Sequence, residues 1–140
     1  MILDEVKKAR GLIREDGIDI SRQLIHVKIN IWNGDLPSAL KILQDMLSKG
    51  IEHSDVFYML GEVYRQQANL TPAITYLLKA LAYQVHSPYV YESLGQCYYQ
   101  ISEYKKSISL LKKFVTMRKS HFAHYVIGLG YYKTSFFEES

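Results

Sequence analysis

The sequence predicts an all-α fold, a solenoid of antiparallel helix pairs with about three and a half repeats and an N-terminal helix. The first supporting observation is a pattern of residue types that recurs every 34 positions, as from Leu60-Gly61 to Leu94-Gly95. The second is helical spacing of apolar residues between short turns. The third is that no stretch alternates polar and apolar residues as a half-buried strand would.

Composition bounds the class of protein. At 140 residues, with 48% apolar and 22% charged residues, the chain is long enough for one domain with a continuous core. The net charge of +3 is too small to require a polyanionic partner. The single Cys97 excludes an internal disulfide and fits a reducing compartment, so we expect a cytoplasmic or other intracellular protein. No apolar run approaches the ~20 residues of a membrane span, and Asp4 and Glu5 interrupt any secretion signal.

A single domain is predicted over residues 1–140, beginning with a capping helix in residues 1–19. The apolar residues of that segment follow helical spacing from Ile2 to Ile13, and Gly17 is suited to ending the helix. Three repeats are predicted over residues 20–53, 54–87 and 88–120, followed by an incomplete last repeat over residues 121–140.

Each repeat is predicted to contain two helices joined by a short turn, which makes the two helices antiparallel neighbours. Pro37 fits the first turn of a second helix, and Thr71-Pro72 is the expected start of the next one, with Thr71 as the N-cap. Ser54 or Asp55 is the expected cap of the helix that opens the second repeat. The predicted helices cover residues 20–32, 36–49, 54–67, 71–84, 88–101, 104–117 and 122–134.

The C-terminal end is predicted to leave an apolar face uncovered. Phe136 and Phe137 are interpreted as the opening of another second helix. Ile127 and Tyr131 would then lack the helix that covers their counterparts in the earlier repeats. We therefore expect either a fragment of a longer protein or an end that another molecule covers, including self-association through this end.

The repeated pattern resembles the tetratricopeptide repeat. In that family the first helix of a unit carries a bulky residue, Leu-Gly and Tyr, and the second helix carries small, bulky and small positions. The first-helix positions here are Phe57, Leu60, Gly61 and Tyr64; Tyr91, Leu94, Gly95 and Tyr98; and His124, Ile127, Gly128 and Tyr131. The second-helix positions are Ala39, Leu43 and Met46; Ala73, Leu77 and Ala80; and Ser107, Leu111 and Phe114. The resemblance covers residues 20–140 and implies a right-handed superhelix.

The physics of packing explains these residue types. The three glycines of the pattern are expected where the two helices of a unit approach closely, because a mid-helix glycine costs about 1 kcal/mol that closer packing must offset. The three tyrosines of the pattern are expected to bury their rings between units. The first repeat departs from the pattern, since Gln23 and Val27 stand where a bulky residue and glycine are expected. Phe114 likewise replaces a small residue, and His124 replaces an apolar one.

The resemblance implies that function lies in the concave groove lined by the first helix of each unit. The positions that fall there are rich in aromatic and amide side chains, which favours an extended or helical peptide segment as the ligand. The predicted groove residues are Lys28, Trp32, Tyr58, Glu62, Arg65, Tyr89, Glu92, Gln96, Tyr99, Tyr125 and Tyr132. For the tyrosines among them, ordinary packing between units is the alternative interpretation. The clamp by which some family members hold acidic chaperone tails is not expected, because Leu24 and Ser93 replace its Lys and Arg.

No catalytic, cofactor or metal site is predicted. His121 and His124 share a helix face, but no carboxylate or thiol is placed to complete a set of ligands. Cys97 is interpreted as an inert thiol buried in a packed helix. Gly128 and Gly130 lie within a predicted helix and so cannot form a phosphate-binding loop. We therefore do not expect an enzyme.

A basic cluster on the second helix of the third repeat raises nucleic-acid binding as an alternative. Its members are Lys105, Lys106, Lys112, Lys113, Arg118 and Lys119. A solvated outer face is the preferred interpretation, because that helix faces away from the groove in the family.

The predicted function is a protein–protein interaction scaffold or adaptor that binds another protein or a peptide segment. Two roles compete within this class. One is a subunit of a larger assembly. The other is a small chaperone that holds a client protein, similar to the tetratricopeptide chaperones of type III secretion.

Overall fold

A computed structural model describes residues 19–83, 87–118 and 120–138. The described residues form seven α-helices and no β-strand, which confirms the predicted all-α repeat solenoid. The helices are α1 Ser21–Trp32, α2 Leu36–Ser48, α3 Ser54–Gln66, α4 Leu70–Leu81, α5 Tyr89–Gln100, α6 Tyr104–Met117 and α7 His121–Glu138. The predicted capping helix of residues 1–19 lies outside the described residues, apart from Asp19.

Two of the predicted helix caps are wrong. His53 Nδ1 accepts a hydrogen bond from the backbone N–H of Asp55 at 3.0 Å, so His53 caps α3 in place of Ser54 or Asp55. Asn69 is the N-cap of α4, and the predicted cap Thr71 therefore lies in the first helical turn. In both cases the helix begins earlier in the chain than the predicted cap residue implied.

The turn inside each helix pair has one backbone geometry that repeats along the chain. Gly34, Ala68 and Ser102 have left-handed φ angles of 80°, 60° and 67°. The backbone N–H of the next residue donates to a carbonyl five residues earlier, at N–O distances of 2.8, 2.9 and 2.8 Å. This arrangement closes the first helix of the pair and reverses the chain. Ala68 and Ser102 hold it at a steric cost, because the left-handed region disfavours residues with a Cβ.

The close approach predicted at the mid-helix glycines is confirmed in the second and third pairs. A Cβ on Gly61 would lie 2.5 Å from Leu77 Cγ, and a Cβ on Gly95 would lie 2.5 Å from Leu111 Cγ. Ser107 Oγ also donates a hydrogen bond to the Gly95 carbonyl at 2.7 Å. In these pairs the side chains of the second helix therefore rest directly on the backbone of the first.

The last helix differs from the prediction. α7 continues as one helix to Glu138, so residues 136–138 belong to α7 and not to the second helix expected there. Among the described residues Gly128 consequently faces no second helix, and a Cβ on it would meet nothing within 4 Å. Gly130 makes the close approach instead, with its Cβ position 3.0 Å from Ile108 Cγ1 of α6. Tyr131 was predicted to be buried but is 45% exposed, for the same reason.

The departure of the first repeat from the pattern leaves a gap. Phe57 of α3 stacks on Tyr76 with ring centroids 6.4 Å apart, while Gln23 stands at the equivalent position in α1. A depression of about 350 Å³ between α1 and α2 is lined by Gln23, His26, Lys41, Ile42 and Asp45. Gln23 Oε1 is buried there without a hydrogen-bond partner among the described residues. The amide thus fills less space than the ring and leaves an acceptor unsatisfied.

Buried apolar side chains form two clusters along the solenoid. The larger one extends from Ile20 to Cys97, and the smaller one joins α6 and α7 through residues such as Phe114 and Ile127. Consecutive helices pack against each other, and the first helices of the pairs also contact one another. α1, α3, α5 and α7 therefore lie side by side, and the surface that they share is called the inner surface below.

Candidate interaction surface

An open depression of about 420 Å³ lies on the inner surface between α1 and α3. It is lined by Lys28, Ile31, Trp32, Tyr58, Met59, Glu62 and Gln66. The structure therefore brings together Lys28, Trp32, Tyr58 and Glu62, which were all predicted groove residues. Trp32 lies at its rim with 90% of the side chain exposed.

A hydrogen-bonded network joins α3 and α5 at the centre of the inner surface. Arg65 donates to the Glu62 carboxylate through Nε at 3.2 Å and through Nη2 at 2.7 Å. Arg65 Nη1 donates to Gln96 Oε1 at 3.2 Å, and Ser93 Oγ donates to Glu62 Oε1. Only 13% of the Glu62 side chain and 25% of the Arg65 side chain are exposed. The two charges are therefore largely desolvated and satisfied within the chain.

Burial controls the protonation of groups beside this network. Burial first, and the negative charge of Glu62 second, raise the pKa of the Tyr58 phenol, so Tyr58 stays neutral. The same two causes raise the pKa of the Glu92 carboxyl, and the charges of two nearby arginines oppose them. Burial raises the pKa of the Cys97 thiol to about 11, as expected for the predicted buried and inert thiol.

Aromatic side chains are exposed on α7, at the C-terminal end of the inner surface. Tyr125 and Tyr132 are 63% and 68% exposed. Phe122 is exposed in the same helix, and the spacing of the three residues places them on one helix face. The three rings form an exposed aromatic area at this end of the inner surface.

The other two predicted groove tyrosines pack within the chain. The ring of Tyr89 lies 5.9 Å from that of Phe114, and the Arg118 guanidinium lies 5.1 Å from the Tyr89 ring centroid. The ring of Tyr99 lies 5.5 Å from that of Tyr104, edge to face. Packing is therefore part of the role of Tyr89 and Tyr99, as the alternative interpretation allowed.

Met59 and Ser93 fall at clamp positions of the family's groove but were not among the predicted groove residues. Met59 lines the depression between α1 and α3, and Ser93 donates to Glu62 from the neighbouring repeat. The two residues are 34 positions apart, so the repeat register was a signal that could have identified both. The bond itself joins residues 31 positions apart and leaves no local trace in the sequence.

The basic cluster of α6 is exposed, and several of its members lie over tyrosine rings. Lys106 Nζ is 5.4 Å from the Tyr98 ring centroid, and Lys112 Nζ is 4.9 Å from that of Tyr131. Lys119 lies outside the described residues. Across the described ranges, no three His, Cys, Asp or Glu side chains converge as a metal site would require. No helix in those ranges is both long and apolar enough to cross a bilayer.

Comparisons with known proteins agree with the repeat architecture. The family model of anaphase-promoting complex, cyclosome, subunit 3, a family of tetratricopeptide-type repeats, matches residues 32–114. One crystal structure of MamA, a tetratricopeptide repeat protein, is similar with a TM-score of 0.74 and 22% identity, covering 94% of this chain and 74% of that one. A second MamA structure has a TM-score of 0.74 and 20% identity, covering 99% of this chain and 82% of that one. Among curated proteins, no sequence matches the chain.

The family match spans more than half of the chain, from the end of α1 to Phe114 in α6. It includes the hydrogen-bonded network and Trp32. Lys28 lies before the matched residues, and Tyr125 and Tyr132 lie after them.

Proposed function

The chain belongs to the anaphase-promoting complex, cyclosome, subunit 3 family, and we therefore propose that it is a subunit of a larger assembly that holds a segment of a partner protein on its inner surface. Proteins of this repeat type are protein–protein interaction scaffolds. The family takes its name from a subunit of a multiprotein complex, which supports the assembly role over that of a client chaperone.

The observation that carries the proposal is the contrast between the centre and the ends of the inner surface. At the centre, Glu62 and Arg65 are bonded to each other and to α5. Toward the ends, Trp32 is 90% exposed and Tyr132 is 68% exposed. Exposed aromatic rings of this size are favoured anchors of protein interfaces because they bury a large area with few rotatable bonds.

The chemistry of the partner segment follows from this arrangement. Apolar side chains near its two ends would pack on Trp32 and on the α7 tyrosines. Polar groups between those ends would face Glu62 and Glu92, and the pKa of Glu92 is raised by burial first and by the negative charge of Glu62 second. We expect an extended or helical segment with this division of apolar and polar residues.

The experiment compares groove variants with an outer-face variant in affinity capture followed by quantitative mass spectrometry. Trp32→Ala and Tyr132→Ala remove one anchor each, and Leu78→Ala removes an exposed apolar side chain from α4 as the matched control. For a partner identified with the unaltered chain, each anchor variant is expected to bind about tenfold or more weakly in titration calorimetry. The control should bind like the unaltered chain.

Equal loss of binding in the Leu78→Ala variant, or full binding by both anchor variants, would refute the inner surface as the binding site. The capture experiment also separates the two roles. Several partners at fixed stoichiometry support an assembly subunit, whereas one or two client proteins support a chaperone.

A further inference from the structure

The depression between α1 and α2 lies where the second repeat holds an aromatic ring. In that repeat the corresponding space is filled by Phe57, which is 6% exposed. Its ring centroid lies 6.4 Å from that of Tyr76 and 5.7 Å from that of Tyr83. The three equivalent positions of the first repeat, 34 residues earlier, hold Gln23, Ile42 and Lys49. None of these three side chains is aromatic, and a space of about 350 Å³ remains.

This space has an acceptor that a bound donor would satisfy. Gln23 lines the depression, and its Oε1 is buried without a hydrogen-bond partner among the described residues. Buried acceptors are normally satisfied, because an unpaired one has lost its water without gaining a bond. Asp45 also lines the depression, but its carboxylate is paired with Lys49 Nζ at 3.0 Å. A ligand with an N–H group would therefore find its acceptor in Gln23 Oε1.

The remaining lining residues suit the face of a ring. Ile42 provides apolar surface and is partly buried against the core. Lys41 also lines the depression, and an ammonium group is attracted to the face of an aromatic ring. The second repeat shows the same combination, since Lys79 Nζ lies 5.9 Å from the Phe57 ring centroid. A volume of about 350 Å³ is small among ligand sites, which suits one side chain better than a larger molecule.

We propose that this depression binds the indole ring of a tryptophan side chain from a partner protein. Indole has a large apolar face and one N–H donor, with no acceptor. It would fill the space that Phe57 fills in the second repeat and donate its N–H to Gln23 Oε1. A phenyl ring would fill the space but leave the acceptor unsatisfied. Tryptophan is also one of the residues most enriched among the anchors of protein interfaces.

The proposed site lies on the opposite side of α1 from the inner surface. Gln23 and Trp32 are nine positions apart, which is about two and a half turns of an α-helix. His26, which lines the depression, is likewise about 200° around the helix from Lys28. A partner anchored in the depression would thus leave the inner surface free, and the inference does not depend on the proposed function.

Titration of the chain with N-acetyl-L-tryptophanamide, followed by NMR, tests the inference. The methyl signals of Ile42 and the side-chain amide signals of Gln23 should shift together along one binding curve. The methyl signals of Ile127 in α7 should stay in place and serve as the internal control. Absence of a shift at Ile42 would overturn the inference, whatever keeps the probe out of the depression.

Two related probes test the chemistry of the ligand. The benzothienylalanine analogue of the probe has nearly the same shape but sulfur in place of the N–H group, so it should bind about tenfold more weakly. Equal affinity of the two probes would overturn the assignment of an indole donor to Gln23. Free L-tryptophan should bind no better than the capped probe. Tighter binding of the free amino acid would overturn the assignment to a partner protein.

Three variants locate the probe. Gln23→Phe should abolish binding because it fills the depression, and its urea midpoint shows whether the fold is retained. Gln23→Met removes the acceptor at similar side-chain length, so the preference for indole over the benzothienyl ring should disappear. Gln100→Met makes the same change at an exposed position of α5 and should bind like the unaltered chain. Full binding by Gln23→Phe, or an unchanged preference in Gln23→Met, would overturn the inference.

Discussion

Gly61 and Gly128 occupy equivalent positions in two repeats, yet alanine is expected to have opposite effects on stability at the two sites. A Cβ on Gly61 would lie 2.5 Å from Leu77 Cγ and 3.3 Å from the Ala73 carbonyl oxygen, so α3 and α4 must shift apart. Overpacking of this kind costs about 1–3 kcal/mol. Alanine in a helix interior is about 1 kcal/mol more favourable than glycine. The net effect at Gly61 is a destabilisation of up to about 2 kcal/mol.

At Gly128 the gain in helix propensity stands alone, because an added Cβ would meet nothing within 4 Å. Gly128→Ala should therefore stabilise the protein by about 1 kcal/mol. The propensity gain cancels between the two variants, so the difference in their unfolding free energies equals the packing cost, about 1–3 kcal/mol.

Urea denaturation followed by circular dichroism measures both free energies of unfolding, and Gly95→Ala replicates the buried case against Leu111. Equal shifts of the midpoint at Gly61 and Gly128, in either direction, would refute the reasoning. Such a result would mean that the close approach of α3 to α4 is not what requires glycine.

Gln23→Phe should raise the unfolding free energy by about 1–3 kcal/mol, because it removes a buried acceptor without a partner and fills the depression between α1 and α2; a lower urea midpoint would contradict this. Ala68→Gly should stabilise the protein by up to about 1 kcal/mol. A left-handed residue with a Cβ costs about 1–2 kcal/mol, and the greater freedom of glycine in the unfolded chain offsets part of the gain from removing that strain. Gly34→Ala, at the equivalent turn, should shift the midpoint the opposite way. Glu92→Gln should stabilise at neutral pH, because a raised pKa means that ionised Glu92 disfavours the folded state. The gain in stability should vanish as the pH falls below the ordinary pKa range of glutamate, where Glu92 is protonated in both the folded and the unfolded state. A gain that does not depend on pH would show that the ionised carboxylate is not what disfavours the folded state.

The middle of the solenoid was predictable because residues at equivalent positions of successive repeats make equivalent contacts. The prediction for α6, residues 104–117, matches the observed helix, and the glycine contacts of α3 and α5 were inferred from residue type and register alone. The last helix was not predictable in the same way. Gly128 stands at the position equivalent to Gly61. The glycine alone does not indicate whether a second helix packs against that position.

The candidate surface was predictable as a set of positions but not as a set of bonds. The register assigned Glu62, Arg65 and Gln96 to one surface, and the structure places them there. That they would bond to one another depends on side-chain conformations and on Ser93, which the period does not specify. The prediction of the α3 cap was wrong for a related reason. The imidazole of His53 accepts the capping hydrogen bond in place of the commoner cap residues Ser and Asp.

The network at the centre of the inner surface also has a mechanical consequence. The curvature of a solenoid is set by the small rotation between neighbouring repeats. The Arg65–Gln96 and Glu62–Ser93 bonds tie α3 to α5 across the inner surface, and thus resist a rotation that would separate the two helices there. Loss of both bonds would leave the packing between the helices as the restraint on rotation of the second repeat against the third.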